Sequence, residues 1–275
     1  MTRPVRLAHR IVATPASEPT QAVLFLHGVF GRGRNFGTIA RRLTQERQDL
    51  AAVLVDLRLH GDTGAVPGPH TLETAAGDLD SVVQAMAPRR VVAVIGHSLG
   101  GRIALAFARR HPNLGHRTLI LDITPGARPE ALRGGLGRNA PLRVLQMLRP
   151  LSGPYPDRQD FVQAVMNAGQ SITTARQLAT NLVRDPADSS FRLTMDLDGI
   201  EQLLWDHYTT DLWPVARETD CRFLLAGRSD AGGARDRSLL LADSATDVEV
   251  LEEADHWLHS EHPDEVLEWL LRHLS

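Results

Sequence analysis

The sequence predicts an α/β fold: a mostly parallel, doubly wound sheet into which a helical cap is inserted. Three observations predict it. Short apolar runs alternate with segments of helical periodicity through residue 124. The runs are continuously apolar rather than alternating, which is the pattern of central parallel strands covered on both faces. Strand signals then vanish between 125 and 211 and return afterwards. The 275 residues suit one large domain or two small ones, and 43% hydrophobic with 23% charged residues is an ordinary globular composition.

The elements follow in order. Residues 22–26 (AVLFL) form an apolar strand ending in His27-Gly28, and 36–50 read as a helix with Ile39, Leu43 and Leu50 on one side. The next strand, 51–55, stops at Asp56. A helix over 72–86 places Leu72, Ala76, Leu79, Val83 and Met86 at helical spacing. Strand 91–95 (VVAVI) leads through a glycine-rich turn into helix 99–110, and strand 118–121 (TLIL) ends at Asp122. From 125 to 211 only helical segments are expected, at 128–149, 157–169, 173–184 and 196–207. Strands return at 222–226 and 246–251, and a helix over 263–273 closes the chain. The expected division is a core of 1–124 and 211–275 with a helical cap subdomain of 125–210.

Composition excludes several functions. The net charge of −3 gives no global basic field for nucleic acid, and 5% aromatics are too few for a base-stacking platform. Every basic residue is Arg, so Schiff-base chemistry, Ser-Lys dyads and a P-loop lysine are absent. The single cysteine, Cys221, stands beside an apolar run and reads as a buried structural thiol. No run of about 18 apolar residues could span a membrane. Nor does a stretch of signal-peptide length follow the N-terminus, so a soluble cytoplasmic protein is expected.

The chemistry concentrates at Gly96-His97-Ser98-Leu99-Gly100-Gly101, a G-x-S-x-G sequence between strand and helix. A nucleophile at so tight a turn needs neighbours without side chains, and the helix N-terminus behind it favours developing negative charge. A serine hydroxyl needs a base, and His256, between the last strand and the last helix, is the candidate. Among the other histidines, His97 is expected to pack structurally, His27 and His60 to shape loops, and His259 and His262 to lie on the surface. The acid that orients the imidazole is Asp122 or Asp230, each following a strand; Asp255, adjacent to His256, is poorly placed to meet its ring. The oxyanion donors expected are the amide of Leu99 and that of Val29, with Phe30 as the other option after His27-Gly28. No metal ligand set is expected.

These residues resemble the α/β-hydrolase superfamily and its α/β-hydrolase fold, and within it the branch of YbfF-type esterases and ABHD11. The matching segments are His27-Gly28-Val29-Phe30-Gly31 with Asn35-Phe36, Asp56-Leu57-Arg58-Leu59-His60-Gly61, and the Gly96 to Gly101 turn. Further on they are Asp122-Ile123-Thr124-Pro125, Thr180-Asn181-Leu182 with Asp196-Leu197-Asp198, and His256-Trp257 with His259. The resemblance implies hydrolysis of esters or of acyl-CoA-like thioesters through an acyl-serine, without a cofactor, on a small-molecule substrate. It favours Asp122 as the acid, with Asp230 the alternative and Asp198 third. The chain departs from the branch at Asp255, where Gly is usual, at Leu99, where Met is common, and at Arg102, where Lys is common. Cofactor-free C–C hydrolysis or perhydrolysis on the same triad, and a non-catalytic ligand-binding role, are the competing expectations.

The expected cap is rich in arginine, with Arg128, Arg133, Arg138, Arg143, Arg149 and Arg158. A solvated helix face is the plain reading; contact with the phosphates of a CoA-type substrate is the sharper one. Leu132, Leu136, Leu142, Val144, Leu145, Met147 and Leu148 supply cap core or acyl-pocket wall, and Gly134-Gly135 and Gly137 interrupt the helix.

Overall fold

The computed structural model describes residues 5–133 and 140–274. The first half contains β1 (His9–Val12), β2 (Gln21–Leu26), a 3-10 turn (Gly33–Phe36), α1 (Gly37–Glu46), β3 (Leu50–Val55) and α2 (Leu72–Met86). It continues through β4 (Arg90–His97), α3 (Leu99–Arg110) and β5 (Arg117–Leu121). Next come α4 (Glu130–Arg133), α5 (Ala140–Leu148), α6 (Arg158–Asn167), α7 (Ile172–Ala179), β6 (Leu182–Arg184), β7 (Phe191–Leu193), α8 (Leu197–Thr209) and α9 (Trp213–Glu218). The chain ends with β8 (Cys221–Ala226), α10 (Ala234–Ala242), β9 (Asp247–Leu251), α11 (Leu258–Glu261) and α12 (Pro263–His273).

Seven strands form one sheet in the order β1-β3-β2-β4-β5-β8-β9. All neighbours are parallel except β1, which runs antiparallel to β3 at the edge. The strands are continuously apolar because both faces are covered. On one face Val23 and Phe25 of β2 pack with Ile39 and Leu43 of α1 and with Val266 and Leu270 of α12. On the other, Leu24 and Leu26 pack with Leu79 of α2 and Ile103 of α3. Alternate residues of a strand point to opposite faces, so an amphipathic helix on each side buries every second side chain.

β2 is flanked by β3 on one side and β4 on the other. The winding therefore reverses between β2 and β4, and a crevice opens beyond their carboxyl ends, the usual ligand position in such sheets. The loop after β2 carries Val29, and the turn after β4 carries Ser98.

The stretch between β5 and β8 departs from the sequence expectation in one respect. It is not all helical: β6 and β7 pair as an antiparallel hairpin, and Tyr155 bridges to Phe191. Each strand is three residues long, too short for any periodicity to register. The expected helix over 128–149 is represented by α4 and α5; Gly134, Gly135, Leu136, Gly137 and Arg138 lie outside the described residues. Leu142, Leu145 and Leu148 are buried in the core, while Leu132, Val144 and Met147 are only partly covered.

Both crossings of this stretch are tied to α3. The buried guanidinium of Arg102 donates to the carbonyls of Thr124 and Gly126 on the way out and of Thr210 on the way back. Burial pushes Arg102 down to about 10, and Asp236 opposes that shift. The Asp236 carboxylate in turn accepts from Gly126 N–H and Trp213 Nε1–H. Among the described residues no helix is long and apolar enough to cross a membrane.

Candidate active site

Ser98 sits at the turn between β4 and α3 with φ +52° and ψ −118°. The left-handed backbone is costly for a residue with a Cβ and needs its surroundings to hold it. Its N–H donates to Leu121 O at 3.0 Å, locking the turn onto β5. The flanking glycines are steric requirements. A Cβ on Gly96 would overlap the Gly100 carbonyl, and one on Gly100 would overlap the Leu26 carbonyl. Ser98 is 9% exposed, and its Oγ has no hydrogen-bond partner among the described residues.

Asp122 extends β5 by one residue and also takes positive φ, at +48°. Its carboxylate is buried. Oδ1 accepts the Ala226 N–H at 3.0 Å, and Oδ2 lies 2.7 Å from His256 Nδ1. The His256 side chain keeps 32% of its surface exposed against 2% for Asp122, so one partner is anchored in protein and the other faces outward. Asp230, following β8, is exposed and forms no hydrogen bond or ion pair with His256, although both line one depression; Asp255 is exposed as well. Asp198 lies on α8, exposed and ion-paired with Arg149 at 2.7 Å. The structure thus brings Asp122, and none of the other three carboxylates, to the His256 ring.

The loop after β2 is held on several sides. His27 Nδ1–H donates to Gly28 O at 2.8 Å, and Gly31 N–H donates to the same carbonyl at 3.0 Å. Phe30 N–H is given to His60 Nε2 at 3.2 Å, so it is not free as an oxyanion donor. Val29 N–H and Leu99 N–H have no acceptor among the described residues. Both histidines act as loop supports, as their positions suggested: His27 Nε2 accepts from Leu57 N–H at 3.1 Å, and His60 Nδ1–H donates to Arg58 O at 2.8 Å.

His259 corrects the sequence reading. It is 4% exposed rather than on the surface, with its ring centroid 4.5 Å from His97 and 4.7 Å from Phe36. His262 stays partly exposed, with Nδ1 3.4 Å from Glu265. His97 packs as expected, and it does more: Nε2–H donates to the His256 carbonyl at 2.7 Å, tying the residue before Ser98 to the backbone of the candidate base. Burial drives the pKa of His27 and His97 well below the ordinary imidazole value, that of His60 to about 4 and that of His259 to about 3. These four are therefore neutral, which fits the donor and acceptor roles of His27 and His60 and the single donation by His97.

Sequence reasoning also missed the partners of the arginines. Arg128 covers the Tyr208 ring, Arg149 pairs with Asp198 and Glu201, and Arg158 donates to the Ala179 and Leu182 carbonyls. The expectation of arginines standing open to phosphates is not met by these three; Arg138 lies outside the described residues. Cys221 is buried, with Thr219 Oγ1 2.9 Å from its Sγ, and burial pushes the thiol up to about 11, so it is no nucleophile.

An open depression of about 340 Å³ adjoins His256, with Ser171 and Thr174 contributed from the α7 side and Arg228 and Asp230 from the loop after β8. A larger cleft, about 640 Å³, lies instead along the β1 edge and is lined by none of the candidate residues. The chemistry therefore follows hydrogen-bond geometry rather than cleft size.

Comparison with known proteins places the fold in a family. The chain is 27% identical to the sn-1-specific diacylglycerol lipase ABHD11 of Mus musculus, over 97% of this chain and 84% of the relative. It is 26% identical to the esterase YbfF of Escherichia coli, over 92% of each. A solved marine microorganism esterase shares the fold with a TM-score of 0.81 at 23% identity, covering 98% of this chain and 99% of that one. A model of the alpha/beta hydrolase family matches residues 23–269. With that match spanning nearly the whole sheet and the segment inserted into it, the chain belongs to the alpha/beta hydrolase family.

Proposed function

We propose that the protein is a serine hydrolase that cleaves carboxylic esters or thioesters, acyl-CoA-like ones included, through an acyl-serine intermediate. The observation that carries this reading is the 2.7 Å contact between His256 Nδ1 and the buried Asp122 carboxylate, at the sheet edge that also bears the Ser98 turn. Asp122 accepts from Nδ1–H and so leaves Nε2 as the basic nitrogen. Ser98 Oγ attacks the acyl carbon while Nε2 takes its proton. The carbonyl oxygen becomes an alkoxide, stabilised by Val29 N–H and Leu99 N–H. The tetrahedral intermediate collapses, Nε2–H protonates the departing alcohol or thiol, and the acyl group stays on Ser98. Water then attacks with His256 as base and releases the acid. This sequence uses only the chain's own groups, and residues 125–210 act as the cap over it. The names of the relatives, a lipase and an esterase, support the ester class.

The test is turnover on a panel of p-nitrophenyl esters, diacylglycerols and acyl-CoA thioesters, with wild type beside Ser98→Ala. The reading expects hydrolysis by wild type that drops by about 10³-fold or more in the variant. A folded wild type with no turnover on any member, or a Ser98→Ala variant as active as wild type, would overturn it.

A further inference from the structure

The loop that carries Val29 is gripped from outside the sheet. Asn181, at the turn between α7 and β6, reaches across to it: Nδ2–H donates to Phe30 O at 2.7 Å in a buried contact. Asn181 is 2% exposed. The turn that presents it is itself fixed. Arg34 donates to Thr180 O at 2.8 Å, Arg158 donates to the carbonyls of Ala179 and Leu182, and Asn181 N–H donates to Leu178 O at 3.0 Å. A second contact between the same segments runs from Asn35 Nδ2–H to Gln177 Oε1. Carbonyls at a helix end are thus satisfied by cations, and the amide side chain is held ready.

Phe30 needs such a grip. Its φ is +63°, a left-handed conformation that is unfavourable in a residue with a Cβ, so a free loop would relax away from it. Peptide units are planar and trans, so anchoring one end of a unit orients the other. Asn181 anchors the carbonyl of the Phe30–Gly31 unit, whose N–H reaches Gly28 O. Gly28 O belongs to the Gly28–Val29 unit, so the same bond sets where Val29 N–H points. The unit between them is anchored by His60 on Phe30 N–H.

Resting on the oxyanion role given above to Val29, we propose that Asn181 is a positioning residue for the oxyanion hole. It makes the donor geometry depend on the segment between β5 and β8 being seated on the core. Asn181 touches no reacting atom in this scheme; it acts through Phe30 and Gly31.

The experiment compares wild type, Asn181→Ala and the near-isosteric Asn181→Leu. Three quantities are read: kcat and KM on p-nitrophenyl butyrate, inhibition by an alkyl trifluoromethyl ketone, and Tm. The ketone forms a tetrahedral alkoxide on the serine and needs the hole; KM for the ester depends on it far less. The expected result is a kcat lower by about 10- to 100-fold, below the roughly 10²–10³-fold seen when an oxyanion donor is removed outright. Ketone affinity should weaken by a similar factor, with KM little changed and the Leu variant folded. If kcat and ketone affinity stay at wild-type values, or if the loss lies wholly in KM, the positioning role is wrong while the hydrolase reading stands. A folded wild type that neither turns over nor binds the ketone removes the hydrolase reading and this inference together.

Discussion

Asp122 combines a left-handed backbone with a carboxylate whose two oxygens are both committed, one to Ala226 N–H and one to His256. That geometry fixes one imidazole tautomer, so the role can be tested without disturbing the fold. Asp122→Asn keeps the shape but can donate to Nδ1, favouring the wrong tautomer. We expect kcat to fall by about 10³–10⁴-fold with Tm close to wild type. Asp230→Asn, at an exposed residue, should leave kcat near wild type. Steady-state kinetics of the two variants check this, and the reverse ranking would reassign the acid. Sequence reasoning left these two carboxylates open because each follows a strand of the same sheet, and nothing in the chain's local pattern states which one turns toward the histidine. The same blindness misplaced His259. Its burial comes from rings contributed by His97 and Phe36, far away in sequence, and a lone histidine on a short helix carries no mark of that stacking.

Elements with strong periodicity were legible. The strands β2 to β5 and the helices α2, α3 and α12 stand within a few residues of where apolar runs and helical spacing put them. Among the elements that escaped were the helices α9, α10 and α11 and the strands β1, β6 and β7, the strands at four, three and three residues. The existence of these strands depends on partners: β1 on the β3 edge, and β6 on β7. The functional loops fell between these cases. The Asp56 to Gly61 segment was recognisable as a motif, yet its purpose appears only in three dimensions. Asp56 accepts from Gly33 N–H, Arg58 pairs with buried Asp78 at 2.7 Å, and His60 holds Phe30 N–H. The segment is a scaffold for the neighbouring loop after β2, to which the oxyanion role is proposed, rather than a set of reacting groups. Likewise Arg102, a departure from the branch, joins α3 to both crossings of the inserted segment, so the helix behind Ser98 and the two ends of that segment are hydrogen-bonded together.

Across the whole molecule, neutral histidines shielded from water are expected to set an acid limit on stability. His60 and His116 are depressed to about 4 and His259 to about 3, chiefly by burial, and His27, His97 and His207 lie well below the ordinary 6.5. In the unfolded chain these imidazoles return to 6.5 and take up protons that the folded state refuses. Their contribution is fully present above about pH 6.5 and is lost as pH falls toward 4, because the unfolded state then binds more protons. Thermal melts in buffers of matched ionic strength should show a flat Tm above pH 7 and a steep decline below pH 6. A Tm unchanged down to pH 4 would contradict the neutral, buried assignment.

The central claim is that Ser98 is an activated nucleophile in an assembled site. The most direct measurement is intact mass after treatment with a fluorophosphonate probe, on wild type and on Ser98→Ala. The account predicts one adduct on wild type and none on the variant, since phosphonylation needs both a basic His256 and donors for the developing oxyanion. A folded wild type that remains unmodified, or a Ser98→Ala variant that is labelled equally, would contradict it.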